Sequence, residues 1–139
     1  MAKFILSAFA DEAAGSLEKQ LQVLAEENIP LLELRGVNGK NCADLTPQDT
    51  RAIRAQLEAA GVGLSALGSP FGKIGIDKPF EEHFTRFLRG LDICQELGCG
   101  RIRMFSFYTP GDADPAAWRD ETLRRLDMML TAAEKAGVR

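Results

Sequence analysis

Four helix stops divide this chain. They read Glu26-Glu27-Asn28-Ile29, Glu58-Ala59-Ala60-Gly61-Val62, Glu96-Leu97-Gly98-Cys99 and Glu134-Lys135-Ala136-Gly137-Val138. Each carries an acidic residue, one or two helix formers, Gly or Asn, then a small apolar residue. Gly or Asn adopts the left-handed conformation that ends a helix, and the chain then turns into a strand. The stops fall at 28, 61, 98 and 137, at intervals of 33, 37 and 39 residues. That is the length of one strand-plus-helix unit with its loops. The pattern predicts one domain of four βα units, about 3–29, 30–61, 62–98 and 99–139, cut before a fifth strand.

The predicted strands are about Phe4–Ala10, Leu31–Arg35, Gly63–Leu67 and Arg101–Tyr108. Ser16 is the expected N-cap of the first helix, whose buried stripe is Leu17, Leu21 and Leu24. Thr46-Pro47 opens the second helix. The third starts near Pro79, with Phe80, Phe84, Phe87, Leu91 and Cys94 on one face. That stripe has the spacing of core packing. The fourth opens near Asp114-Pro115 and carries Trp118, Leu123, Leu126, Leu130 and Ala133.

Strands alternating with helices predict a parallel sheet with right-handed crossovers. In the second strand Leu32 and Leu34 point one way, Glu33 and Arg35 the other. In the fourth, Ile102 and Met104 oppose Arg101, Arg103 and Phe105. Burying those charges under a second layer of helices costs several kcal/mol per unpaired charge. Lining the inside of a barrel with them is cheaper. The expected fold class is therefore α/β, a (βα)4 half of a TIM (β/α)8 barrel, with sheet order 1-2-3-4 and all helices on the outer face. A whole barrel takes about 250 residues.

The charge balance excludes little beyond a polyanion partner. The chain has 139 residues and a formal net charge of −3, without clustered Lys and Arg, so no nucleic-acid partner is expected. Cys42, Cys94 and Cys99 are an odd set without framework spacing, which predicts reduced thiols and a cytoplasmic protein. Met1–Ala10 superficially resembles a signal peptide but is too short, and no segment is long enough to span a membrane. The single histidine, His83, lies mid-helix beside Glu81 and Glu82 and is expected to be exposed.

In a barrel the chemistry sits on the loops after the strands. The candidates are Asp11 and Glu12; Glu33, Arg35 and Asn38; Ser69 and Lys73; and Arg103, Ser106, Tyr108 and Thr109. Of these, Glu33, Arg35, Ser69, Lys73, Arg103 and Ser106 form the expected substrate-binding set. Glu33 and Arg35 could orient the hydroxyls of a polyol, or Glu33 could pair structurally with Arg103. Asp11-Glu12 reads as the start of a helix, where the dipole favours acids. Gly68-Ser69-Pro70-Phe71-Gly72-Lys73-Ile74-Gly75 is one residue short of a P-loop, and Ile74 stands where a magnesium-binding hydroxyl belongs. Its glycines could still let the backbone approach an anion, with Lys73 as a point charge. No catalytic residue and no metal ligand can be assigned.

Four segments at strand ends carry a resemblance. Phe4-Ile5-Leu6-Ser7-Ala8-Phe9-Ala10-Asp11-Glu12, Leu32-Glu33-Leu34-Arg35, Gly68-Ser69-Pro70-Phe71-Gly72-Lys73-Ile74 and Arg101-Ile102-Arg103-Met104-Phe105-Ser106-Phe107 together resemble the sugar phosphate isomerase/epimerase family. These are xylose-isomerase-like TIM barrels related to apurinic endonuclease family two. The resemblance implies an isomerase or epimerase that moves a proton next to the carbonyl of a small sugar or sugar phosphate, assisted by a divalent metal. It places the metal ligands on strands five to eight, so none is expected here. It also implies that this half-barrel is inactive without the other half. The alternative is a non-catalytic assembly or binding module. Open sheet edges predict a homodimer or higher oligomer.

Overall fold

The structure, a computed structural model, describes residues 4–139. Lys3, which opens the first predicted unit, lies outside them. All four stops adopt the left-handed turn the sequence requires, with φ of 55° at Asn28, 67° at Gly61, 69° at Gly98 and 70° at Gly137. Each closes in the same way. The N–H groups of Ile29, Val62, Cys99 and Val138 donate to the carbonyls of Leu24, Leu57, Cys94 and Ala133 at 2.8–3.1 Å. This six-to-one bond satisfies a helix-end carbonyl and aims the chain back toward the sheet.

The elements are β1 (Ser7–Ala8), α1 (Leu17–Glu26), β2 (Leu31–Leu34), β3 (Gly36–Val37), β4 (Lys40–Asn41), α2 (Pro47–Ala60), β5 (Gly63–Leu67), α3 (Glu81–Leu97) and α4 (Arg119–Ala136). β1, β2 and β5 form a parallel sheet in that order. α1 packs on α2, α2 on α3 and α3 on α4. Leu32 and Leu34 of β2 are buried in one core with Leu17, Leu24, Ile53, Leu57, Phe87 and Leu91 of the helices. Glu33, of opposite parity, is left on the other face. This is an α/β fold, a partial TIM barrel.

Two predicted strands are shorter than expected. Only Ser7 and Ala8 of the first pair with β2, while Phe4, Ile5 and Leu6 are exposed. The fourth, Arg101–Tyr108, makes isolated bridges and no continuous ladder. It begins correctly: Leu67 N–H donates to Arg101 O, and Arg103 N–H to Leu67 O, both at 2.9 Å. β5 then ends, so the segment ties itself to the following loop, with Phe105 N–H on Phe71 O and Tyr108 N–H on Ile74 O. On its far side, Arg139 N–H donates to Gly100 O and Ile102 N–H to Arg139 O. The residue after the fourth stop thus pairs in a fifth position.

Local chemistry sets the remaining boundaries. α2 carries a capping box, Thr46 accepting from Asp49 N–H while Asp49 accepts from Thr46 N–H. Ser16 stands at the N-cap of α1 but does not cap it; Asn38 Oδ1 accepts from Leu17 N–H at 3.0 Å instead. The connection between β2 and α2 contains a hairpin, β3 against β4, turned by Asn38-Gly39 with φ of 52° and 77°. Asn-Gly is the usual residue pair for such a turn.

Candidate functional site

β2 and β5 are out of step by one residue. Leu32 pairs with Leu64, but Glu33 pairs with Ala66, leaving Ser65 extra. The bulge turns the Ser65 hydroxyl to within 2.6 Å of the Ser7 hydroxyl, across β2, as a floor to the uncovered face. Above it, at the C-terminal ends of the strands, charged and aromatic side chains converge.

They form an alternating row. The Arg35 guanidinium lies 4.9 Å from the Phe9 ring centroid, and Arg103 lies 5.2 Å from the same ring. Arg103 is also 5.1 Å from the Phe105 ring, where Lys73 Nζ stands at 4.5 Å. Three cations thus share two rings, each contact contributing about 0.5–1 kcal/mol where exposed. Gly68 makes the row possible. A Cβ there would meet Arg35 Cβ at 3.2 Å, Phe9 Cε1 at 3.3 Å and Glu33 Cγ at 3.4 Å. Its carbonyl accepts from Arg103 Nη2 at 2.9 Å.

The cations differ in how they are neutralised. Arg35 donates to Asp11 and to Glu12, each at 2.9 Å, and the Asp11 bond, then Glu12, raises its pKa further. Asp11 and Glu12 end a three-residue 3-10 turn, Ala10–Glu12, and α1 begins only at Leu17, so the two acids pair with Arg35 and do not open a helix. Among the described residues Arg103 has only Glu33, with Nε 3.8 Å from Oε1, and that buried Nε has no hydrogen-bond partner. Among the described residues, Lys73 has no carboxylate partner.

The remaining candidates are placed elsewhere or used up. Ser69 is fully buried; its hydroxyl donates to the Arg103 carbonyl and accepts from Phe71 N–H. It fastens the third loop to the fourth segment and presents no hydroxyl to a pocket. Ser106 is exposed, in a groove of about 490 Å³ with Thr109, Arg119 and Leu123. That groove does not include the row. Tyr108 is exposed and joins the third loop through its backbone. The N–H groups of Gly68, Ser69, Phe71, Gly72 and Lys73 all donate within the protein. His83, expected to be exposed, is half-buried against Phe71 and Phe80 because Gly72 N–H donates to its Nε2.

Sequence reasoning missed Phe9, Gly68 and Phe105 as parts of this site. Phe105 shares the parity of Arg103, a signal that could have found it. Phe9 lies in an apolar run without alternation and gave none. Among the described residues no group of three His, Cys, Asp or Glu could hold a metal ion. The acids at this rim face arginines, so the donor set does not fit a divalent metal.

A partial β/α barrel with a charged inner rim defines the class. The chain belongs to the xylose isomerase-like TIM barrel family, whose profile it matches over residues 21–139. It resembles a xylose isomerase domain protein from Planctomyces limnophilus, with TM-score 0.62 and 21% identity, over 85% of this chain and 45% of that one. A D-tagatose 3-epimerase-like protein superposes with TM-score 0.69 and 16% identity, over 96% and 49%. D-psicose 3-epimerase from Clostridium cellulolyticum H10, solved with D-tagatose, gives 0.62 and 13%, over 87% and 44%. At these identities the likeness shows the fold. The chain spans about half the length of these proteins. No curated protein sequence matches it.

Proposed function

We propose that this chain is the N-terminal half-barrel of a sugar or sugar phosphate isomerase or epimerase, and that its inner rim binds and orients the substrate. The observation that carries this reading is the row Arg35–Phe9–Arg103–Phe105–Lys73, with Glu33, at the C-terminal ends of parallel strands. That is where β/α barrels bind and transform ligands. The guanidinium groups and Glu33 would fix hydroxyls and the carbonyl oxygen, and the two phenyl rings would hold the cations in place. Proton transfer next to the carbonyl needs a base within hydrogen-bond reach. Here Asp11 and Glu12 are matched to Arg35, so the half-barrel positions substrate and does not complete the reaction. A divalent metal, where the whole barrel has one, would polarise the substrate's oxygens, held by residues outside this chain.

The test is sugar binding to the chain itself, followed by NMR with D-tagatose, D-fructose and their phosphate esters. Resonances of Glu33, Arg35, Arg103 and Phe105 should move, and added manganese should produce no epimer. Shifts confined to the helices, or turnover by this chain, would overturn the reading. A second reading, a non-catalytic assembly module, is favoured by the exposure of Phe4, Ile5 and Leu6 at 89%, 71% and 59%. It predicts no sugar-dependent shift and a mass that rises with concentration. Among the described residues no helix is long and apolar enough to cross a membrane. A cytoplasmic location is part of the proposal, and three free cysteines support it.

A further inference from the structure

The inner rim is not charge-balanced along its length. At one end Arg35 meets two carboxylates, Asp11 and Glu12, and is fully matched. At the other end Arg103 and Lys73 converge on a single ring, Phe105, with only Glu33 nearby, 3.8 Å from Arg103 Nε. Two cations held against one ring repel each other. Glu33 neutralises one of them at most. Arg103 also keeps its Nε–H buried and without an acceptor, although its Nη2 is fixed on the Gly68 carbonyl. A guanidinium clamped by one bond, on a side chain still 32% exposed, presents its remaining edge to an incoming oxygen in a fixed orientation. The whole chain carries a net charge of −3, so this excess of positive charge is local and is no property of the general surface.

We propose that Arg103 and Lys73, set against Phe105, are the specificity determinant of the pocket and make a negative charge on the substrate obligatory. The substrate class is then an anionic sugar, bearing a carboxylate or a phosphate. Its charged group lies at the Phe105 end, and its neutral hydroxyls lie toward Glu33 and Arg35. The N–H groups of Gly68, Ser69, Phe71, Gly72 and Lys73 are already engaged, so that part of the third loop does not hold the anion. The side chains of Arg103 and Lys73 read the charge, and the selectivity is open to substitution. This inference rests on the sugar-pocket reading above and adds the charge requirement to it.

The experiment is an NMR titration of the 139-residue chain with inorganic phosphate, with acetate and with neutral D-tagatose, at constant ionic strength set by chloride. Phosphate or acetate should shift the Arg103 guanidinium and Phe105 ring signals with saturation. Whichever anion binds more tightly identifies the phosphate or the carboxylate source. Lys73→Gln, at an exposed position that leaves the fold intact, should weaken that binding about tenfold. Lys135→Gln, on the exposed face of α4, should leave it unchanged. Equal losses in the two variants would overturn the proposal, as would shifts from D-tagatose with none from either anion. In that last case the sugar-pocket reading survives alone. Anion binding at Arg103 without any response to glucose 6-phosphate or gluconate would remove the sugar-pocket reading instead, and with it this proposal.

Discussion

The backbone N–H of Gly72 donates to Nε2 of His83 at 2.8 Å. Nε2 must then be unprotonated, so the ring's proton sits on Nδ1. Burial, reinforced by Arg86 and Arg125, pushes the pKa below its ordinary 6.5. The unfolded chain therefore binds a proton at higher pH than the folded one. The stabilisation is complete above pH 6.5 and is lost as pH falls through the folded value. The expected outcome is an unfolding free energy that drops between pH 7.5 and 5.5, by at most about 1.4 kcal/mol per pH unit from this group. His83→Gln, which keeps an acceptor but does not titrate, should flatten that part of the curve. An identical slope in the variant rules the mechanism out.

Gly72 is held on its other side by Phe105. Its φ is +86°, and a Cβ would lie 1.8 Å from the Phe105 carbonyl oxygen. Gly72→Ala must push the fourth segment away from the loop that carries Lys73. Left-handed strain and overpacking together predict a loss of about 3 kcal/mol or more. Chemical denaturation should show it, accompanied by broadened Phe105 resonances. A variant of wild-type stability would mean that the loop and the fourth segment are not rigidly joined.

What was legible in the sequence was set by local rules. The four stops were readable because each needs a left-handed residue followed by an apolar one, and Asn28, Gly61, Gly98 and Gly137 satisfy that in every case. The alternation in Leu32-Glu33-Leu34-Arg35 separated the core face from the polar face before any coordinates. The site was less legible because it is made by contacts between segments. Nothing near Ser69 in the chain says that its hydroxyl meets a carbonyl 34 residues away. His83 was misjudged for the same reason: its neighbours Glu81 and Glu82 are exposed, whereas its acceptor nitrogen meets a loop 11 residues earlier. The Asn38-Gly39 hairpin, by contrast, follows from local turn chemistry alone.

The three thiols give a separate check on packing. Cys42, Cys94 and Cys99 are all free and buried. Burial pushes Cys42 up to about 12, so hardly any thiolate is present near neutrality. In the native protein an aromatic disulfide reagent should react with Cys42 only on the time scale of unfolding. In urea all three cysteines should react at once. Fast labelling of Cys42 in the native state would show that the core opens locally.

The sheet edge gives the last prediction. Among the described residues, β1 pairs only with β2, leaving its outer side open. Phe4, Ile5 and Leu6 precede it and are exposed at 89%, 71% and 59%. The opposite edge is partly covered, since Arg139 already bonds to Gly100 and Ile102. Association should therefore run through the β1 side, where an apolar stretch and unpaired backbone groups coincide. Light scattering on a sizing column should give a mass above 15.2 kDa for the chain. Ile5→Lys places a charge in that edge without touching the core and should return the mass to the monomer. A monomeric wild-type peak at roughly 50 µM would show that the edge does not associate, and the assembly reading would fall with it.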